Sequence, residues 1–295
     1  MKEAFVEKKI GAKRLKSLGL INEILAEYAL QGYTLTVRQI YYQMVARGYI
    51  ANSVRSYKQM VSLIGDGRMT GHIDWAMIQD RNRETVQQAH WNSPADIVRA
   101  AAKQYRIDKW ARQPYHIEVM VEKDALSGIL LPVCQRLDIA LTACKGYNSL
   151  SNMYEAGGRL WNHWNGYGRQ QPVILYLGDH DPSGIDMTRD IKERLVLFSG
   201  LCTLQVDRLA LNFNQVSEMN PPENPAKQTD SRYARYVEEF GESSWELDAV
   251  EPATLVRLVE DAVLDLRDDD LWAEAIVEEN KGRAALDEFI ATYGK

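Results

Sequence analysis

The sequence is short of cysteine. Its 295 residues hold three, Cys134, Cys144 and Cys202, none in a CxxC or other ligand spacing. This excludes a disulfide framework and a structural zinc, and all three are expected as small core residues. Missing too is any apolar run of the length a membrane span requires, and the opening MKEAFVEKKIGAKRLKS has charges throughout and no apolar signal-peptide core. A cytoplasmic protein without membrane contact is expected. Neither the P-loop pattern nor GxGxxG occurs, so no nucleotide-binding engine is expected within the chain. There is no internal repeat and no low-complexity tract. With 45% hydrophobic residues, what remains is a globular chain long enough for two or three domain cores.

A net charge of −6 conceals an asymmetry. Residues 1–112 hold 18 Lys and Arg against 10 Asp and Glu, a balance of +8, whereas residues 113–295 hold 17 against 31, a balance of −14. A basic amino-terminal part on an acidic remainder fits a DNA-gripping module joined to a metal-binding one, with chance segregation of solvated charge as the bland alternative.

Helical spacing of Leu18, Ile21, Leu25 and Tyr28 predicts a helix over 15–30, and a second is expected over 36–47, ending at Gly48. Asn52 and Ser53 offer an N-cap to a third, VRSYKQMVSLI, ending at Gly65-Asp66-Gly67, after which GHIDWAMIQD alternates like one or two strands. Three helices and a β-ribbon make a winged helix, with Arg55, Lys58 and Arg68 placed to meet a DNA backbone. A generic three-helix core has the same pattern. Residues 87–113 read as helical or linking.

From there the pattern changes. Strand-like runs at 116–122, 139–145, 172–178 and 203–212 alternate with helical stretches at 124–137, 149–164 and 183–197, which predicts an α/β domain with a mostly parallel four-stranded core sheet. Residues 220–227, with three prolines, read as a loop. From Ser231 the chain reads as acidic and mostly helical, VRLVEDAVLDL being its clearest amphipathic piece. The domains expected are thus 1–112, 113–215 and 216–295.

Three acids stand where an apolar strand stops and a helix starts: Glu122 in VMVEKDAL, and Asp179 and Asp181 in ILYLGDHDPSG. Parallel sheets gather such residues along one edge. Carboxylates gathered there repel, and a hard divalent cation, Mg²⁺ or alternatively Mn²⁺, relieves the repulsion and joins them to a phosphate. Each acid also has a plainer explanation: Asp181 as an N-cap, Glu122 as a surface acid paired with Lys123. Gly178 and Gly184 fit close approach of backbone to phosphate, while Asp186 is a lesser candidate. On the second helix, Val37, Ile40, Tyr41, Met44 and Val45 share a face, which buries Tyr41, whereas Tyr42 lies about 100° round with Arg38 one turn before it. A phenol near pKa 10 needs a neighbouring base, cation or metal to act as a nucleophile, and Arg38 supplies such a charge or a phosphate clamp. Trp161 and Trp164 read as core rather than base-stacking residues, His163 and His180 lack metal-ligand spacing, and Lys145 and Lys227 read as solvated.

VEKDAL followed 57 residues later by GDHDPSG resembles the glutamate and Asp-x-Asp of the Toprim fold, and TVRQIYYQMV is similar to the catalytic-tyrosine helix of the topoisomerase VI A subunit and its relative, the meiotic double-strand-break transesterase. The order of parts, winged helix before Toprim, is that family's order. KGYNS at 145–149 resembles its loop after the second Toprim strand, and the match spans roughly residues 30–215, as in a stand-alone phage or bacterial version. The resemblance implies Tyr42 as nucleophile, Mg²⁺ held by Glu122, Asp179 and Asp181, and double-stranded DNA as substrate. It also implies a homodimer in which one subunit's tyrosine works with the other's metal, and strand passage only with a separate ATPase subunit. Two further functions fit the residues: a Toprim nuclease cutting DNA with metal-activated water, and a non-catalytic DNA-binding or partner-binding subunit that docks through its acidic tail.

Overall fold

A computed structural model describes residues 2–78, 90–144 and 150–293. Three helices come first, α1 (Ala12–Leu30), α2 (Val37–Ala46) and α3 (Val54–Met69). A capping box starts α2: Thr36 Oγ1 accepts from the Gln39 amide, and Gln39 Oε1 accepts from the Thr36 amide at 2.7 Å. Ser53 caps α3 by accepting from the Ser56 amide. The predicted stop at Gly65-Asp66-Gly67 is not one, since α3 runs on to Met69. Gly67 serves packing instead: a Cβ there would lie 2.6 Å from Leu18 Cδ2. Nor does 71–78 form the predicted strand; it makes a 3₁₀ turn at Trp75–Met77, with isolated bridges at Thr70 and Ile78. Arg68 bends this segment back by donating to the carbonyls of Trp75 and Ile78. Residues 79 and 80 of the expected ribbon, and 87–89 of the expected linker, lie outside the described residues. Helix α4 (Pro94–Gln104) follows.

The α/β expectation is met by a four-stranded, all-parallel sheet. Its strands β1 (Tyr115–Val121), β2 (Ala140–Ala143), β3 (Gln171–Leu177) and β4 (Gln205–Ala210) lie in the order β2-β1-β3-β4. Helices α5 (Ser127–Arg136), α6 (Leu150–Gly166) and α7 (Pro182–Ser199) make the crossovers. Alternation along the strands sorts the layers. Ile117, Val119, Val121, Val173, Leu175 and Leu177 pack with α5 on one face, and Met120, Ile174 and Tyr176 pack with α6 and α7 on the other. Cys134 and Cys144 are buried as expected, but Cys202 is exposed.

Beyond the sheet the chain is less purely helical than its sequence suggests. After α8 (Phe213–Met219), the proline-rich stretch contains β5 (Glu223–Pro225), which pairs antiparallel with β6 (Ser243–Trp245) across α9 (Tyr233–Phe240). A two-strand ribbon is all edge, so it tolerates Pro225 at its end. Helices α10 (Pro252–Leu266) and α11 (Asp269–Tyr293) complete the described chain. Leu255, Val259 and Val263 of α10 enter the same apolar cluster as α5, covering that face of the sheet. Among the described residues, no helix is long and apolar enough to cross a membrane.

Candidate active site

The carboxyl ends of β1 and β3 bring the predicted acids to one edge. Glu122 prolongs the ladder, its amide donating to the Leu177 carbonyl at 2.8 Å, and its Oε2 accepts from the Asp179 amide at 2.8 Å. Asp181 is indeed the N-cap of α7: Oδ1 accepts from the Gly184 amide at 2.6 Å and from Ser183 Oγ at 3.0 Å. The two glycines let the loop close on itself. A Cβ on Gly184 would lie 2.2 Å from the Asp179 carbonyl oxygen, and one on Gly178 would lie 2.3 Å from the Tyr176 hydroxyl and 2.9 Å from Glu122 Oε2.

Asp179 is committed elsewhere. Its Oδ1 accepts from the Leu247 amide at 2.8 Å and its Oδ2 lies 2.9 Å from Lys123 Nζ. Burial, with Glu122 adding to it against Lys123, pushes its carboxyl up to about 7. Burial also raises the Glu122 carboxyl, and the charge of Asp181 raises it further. The acids are therefore near enough to feel one another, yet among the described residues no three His, Cys, Asp or Glu side chains form a ready-made metal-holding group. Glu122 Oε1 and Asp181 Oδ2 have no hydrogen-bond partner among the described residues. Two hard, unengaged oxygens at a sheet edge fit a cation that keeps several waters. Asp179 joins them only if Lys123 moves.

Four residues of this edge had no place in the predicted site. Arg208 of β4 reaches back to donate to the carbonyls of Gly178 at 3.0 Å, Gly184 at 2.8 Å and Asp179, pinning the loop that carries both aspartates. Glu246 and Asp248 arrive from the far end of the chain. The bridge between His180 and Trp245, with both amide-to-carbonyl distances 2.9 Å, docks β6 on the acid loop and delivers the two residues that follow. Lys123 is then ion-paired with Asp179, with Glu246, and with Asp248 at 3.4 Å. Glu246-x-Asp248 repeats the Asp-x-Asp spacing at the end of a short strand, the one sequence signal that could have singled it out.

The same pair of acids holds the tyrosine helix. Arg38 is bonded to Glu246, its Nε lies 3.0 Å from Asp248 Oδ2, and its guanidinium carbon sits 5.8 Å from the centre of the Tyr42 ring. The two tyrosines differ less in burial than their helix positions imply. Tyr41 and Tyr42 are both 4% exposed, because the turn at Leu247–Ala249 packs on α2. Tyr41 is structural, its hydroxyl donating to Asn52 Oδ1 at 2.9 Å and accepting from the Ser53 amide at 2.8 Å. Tyr42 lines a pocket of about 390 Å³ with Arg38, Tyr57, Asn224 and Glu246. Burial first and the Glu246 charge next push its phenol up to about 12, while Arg38 and Lys123 pull the other way.

Of the expected DNA contacts, Arg55 and Lys58 stand exposed on α3, whereas Arg68 is turned inward over the Trp75 ring at 5.2 Å. His180 sits among Phe213, Tyr236, Phe240 and Trp245, its Nδ1 2.7 Å from the Tyr236 hydroxyl. Trp164 packs against the α6–α7 core, but Trp161 is exposed, as is Lys227. Asp186 lies outside the acid edge, paired with Arg189 and Arg232. Lys145 and the KGYNS loop lie outside the described residues. No family model matches the chain, and no curated protein matches it.

Proposed function

We propose that the chain is a divalent-metal-dependent DNA-cleaving enzyme of the topoisomerase VI A type, with a three-helix DNA-gripping module before a Toprim domain. One observation supports it above all: an unbroken series of ion pairs, Arg38 to Glu246 to Lys123 to Asp179, ties the tyrosine helix to the acid edge across some of the longest sequence separations in the molecule. Structural ion pairs have little cause to converge on a tyrosine and a carboxylate loop at once; a phosphate-cleaving centre has.

In this reading Arg38 swings from Glu246 to clamp a backbone phosphate, and Glu246 takes the phenolic proton of Tyr42. The Tyr42 oxygen bonds to phosphorus as the bond to the 3′ oxygen breaks, leaving a 5′-phosphotyrosyl link and a 3′ alkoxide that takes a proton from solvent to become the 3′-OH. Mg²⁺ or Mn²⁺ held by Glu122 and Asp181, with Asp179 joining, would supply charge stabilisation for the phosphate and leaving oxygen. Arg55 and Lys58 on α3 grip the duplex, and a homodimer cuts both strands, each tyrosine working beside its own subunit's acids and not, as the resemblance implies, beside its partner's. Relaxation by strand passage needs a separate ATPase subunit.

The burial of Tyr42 and its phenol at about 12 favour a second reading, in which metal-activated water cuts the strand and Tyr42 only packs. Supercoiled plasmid incubated with protein and Mg²⁺ or Mn²⁺, stopped with SDS and run with and without proteinase K, separates the two. Linear DNA bound to protein, lost in Tyr42→Phe and Glu122→Gln, supports transesterification. Protein-free cleavage that survives Tyr42→Phe but not Glu122→Gln means hydrolysis, and no cleavage under any condition overturns both.

A further inference from the structure

Lys123 supplies the positive charge at the centre of the acid edge. Its side chain is mostly buried, its ammonium lies among three carboxylates from two distant segments, and the 2.9 Å contact to Asp179 Oδ2 occupies the oxygen that the proposed metal site lacks. Asp248 sharpens the point. It is 2% exposed, and neither of its oxygens has a hydrogen bond, so this buried carboxylate depends on the charges of Arg38 and Lys123 alone. Counted formally, Arg38, Lys123 and Arg208 are three cations against the five carboxylates of Asp179, Glu246, Asp248, Glu122 and Asp181, so the edge is short of positive charge.

We propose that Lys123 is an internal counter-ion for Asp179 that a divalent cation displaces: metal entry frees the ammonium from Asp179 and exposes it at the mouth of the site, where a DNA phosphate becomes its next partner. This rests on reading Glu122, Asp179 and Asp181 as a metal site. The metal-free enzyme thereby keeps a partly neutralised, closed edge, and the cation and the substrate-binding charge appear together. The exchange balances: a divalent ion replaces one positive charge at Asp179, and the ammonium is passed on to an anion rather than lost.

The test uses the full chain and needs no DNA. Acetylation by an N-hydroxysuccinimide ester, mapped by mass spectrometry, reports how accessible Lys123 is with and without Mn²⁺, against exposed Lys192 as an internal standard. Labelling of Lys123 should rise severalfold with Mn²⁺ while Lys192 stays constant. Mn²⁺ titration followed by electron paramagnetic resonance should also show Lys123→Met binding the ion about tenfold more tightly than wild type, since one competing charge has been removed. Mn²⁺ binding to wild type without a rise in Lys123 labelling overturns the proposal even if the variant does not fold, and equal or weaker binding by a folded variant overturns it too. In both cases the acid edge survives as a metal site. Absence of Mn²⁺ binding in wild type and variant alike removes that reading, and this inference with it.

Discussion

The middle and the carboxyl end of the parallel sheet both bury acids, and they treat them in opposite ways. Midway along β1 Glu118, 1% exposed, is answered on all sides: Arg159 reaches it at 2.8 and 3.2 Å, and His116 Nε2 lies 3.3 Å away. Those partners outweigh burial and hold its carboxyl below the usual range. At the carboxyl end Glu122 and Asp179 are held above theirs. The difference teaches which buried charge stabilises and which is kept under tension, because a fold that only needed stability would have satisfied both.

The contrast is most sharply tested by Glu122→Gln. Cleavage should fall by about 10³-fold or more, while the thermal midpoint stays level or rises, since a carboxylate in a crowd of acids has been made neutral. Plasmid cleavage and a melting curve on the same preparation check both halves. Glu118→Ala should do the reverse, costing about 3 kcal/mol of stability by urea denaturation while the remaining folded fraction cleaves at the normal rate. If Glu122→Gln destabilises and Glu118→Ala silences cleavage, the comparison is inverted.

A smaller effect separates the two regions by pH. Burial among aromatic rings, aided by the Arg208 charge, pushes the His180 imidazole down to about 4. An unfolded histidine titrates near 6.5, so the unfolded chain takes up a proton that the folded chain refuses. The contribution is complete above pH 6.5 and is lost as pH falls towards 4, at most about 3 kcal/mol in all and less where solvent screens the ring. The difference in urea midpoint between wild type and His180→Asn, measured in chelator between pH 7.5 and 4, should show this slope, since the raised carboxyls of Asp179 and Glu122 titrate with the opposite sign in both proteins.

What the sequence disclosed and what it hid follow from distance along the chain. Strands and crossover helices around the sheet were legible because period-two and period-3.6 patterns are local, and Glu122, Asp179 and Asp181 were legible because each ends such a pattern. The stop assigned to Gly67 failed because its reason is tertiary: Leu18 and Ile73 occupy the space a side chain would need. The ribbon expected after α3 failed for a similar reason, Arg68 being drawn to backbone carbonyls rather than to solvent. Glu246 and Asp248 were hidden only in part by the 122 residues between Lys123 and Glu246; the larger cause is that a one-turn 3₁₀ helix after a three-residue strand has no periodicity to read. Tyr42 was placed on the correct helix, but its burial depends on that same remote turn.

The lateness of those two acids has a temporal consequence. A chain emerging from the ribosome presents the tyrosine helix first and the strand-end acids next, yet Glu246, Asp248 and the apolar side of α10 come only after all four strands of the sheet. Until they arrive, Arg38 and Lys123 lack the carboxylates that join them, and one face of the sheet is covered by α5 but not yet by α10. Assembly of the centre thus waits for a segment that follows the whole sheet, so chains cut short before it carry the parts of the centre without their connection.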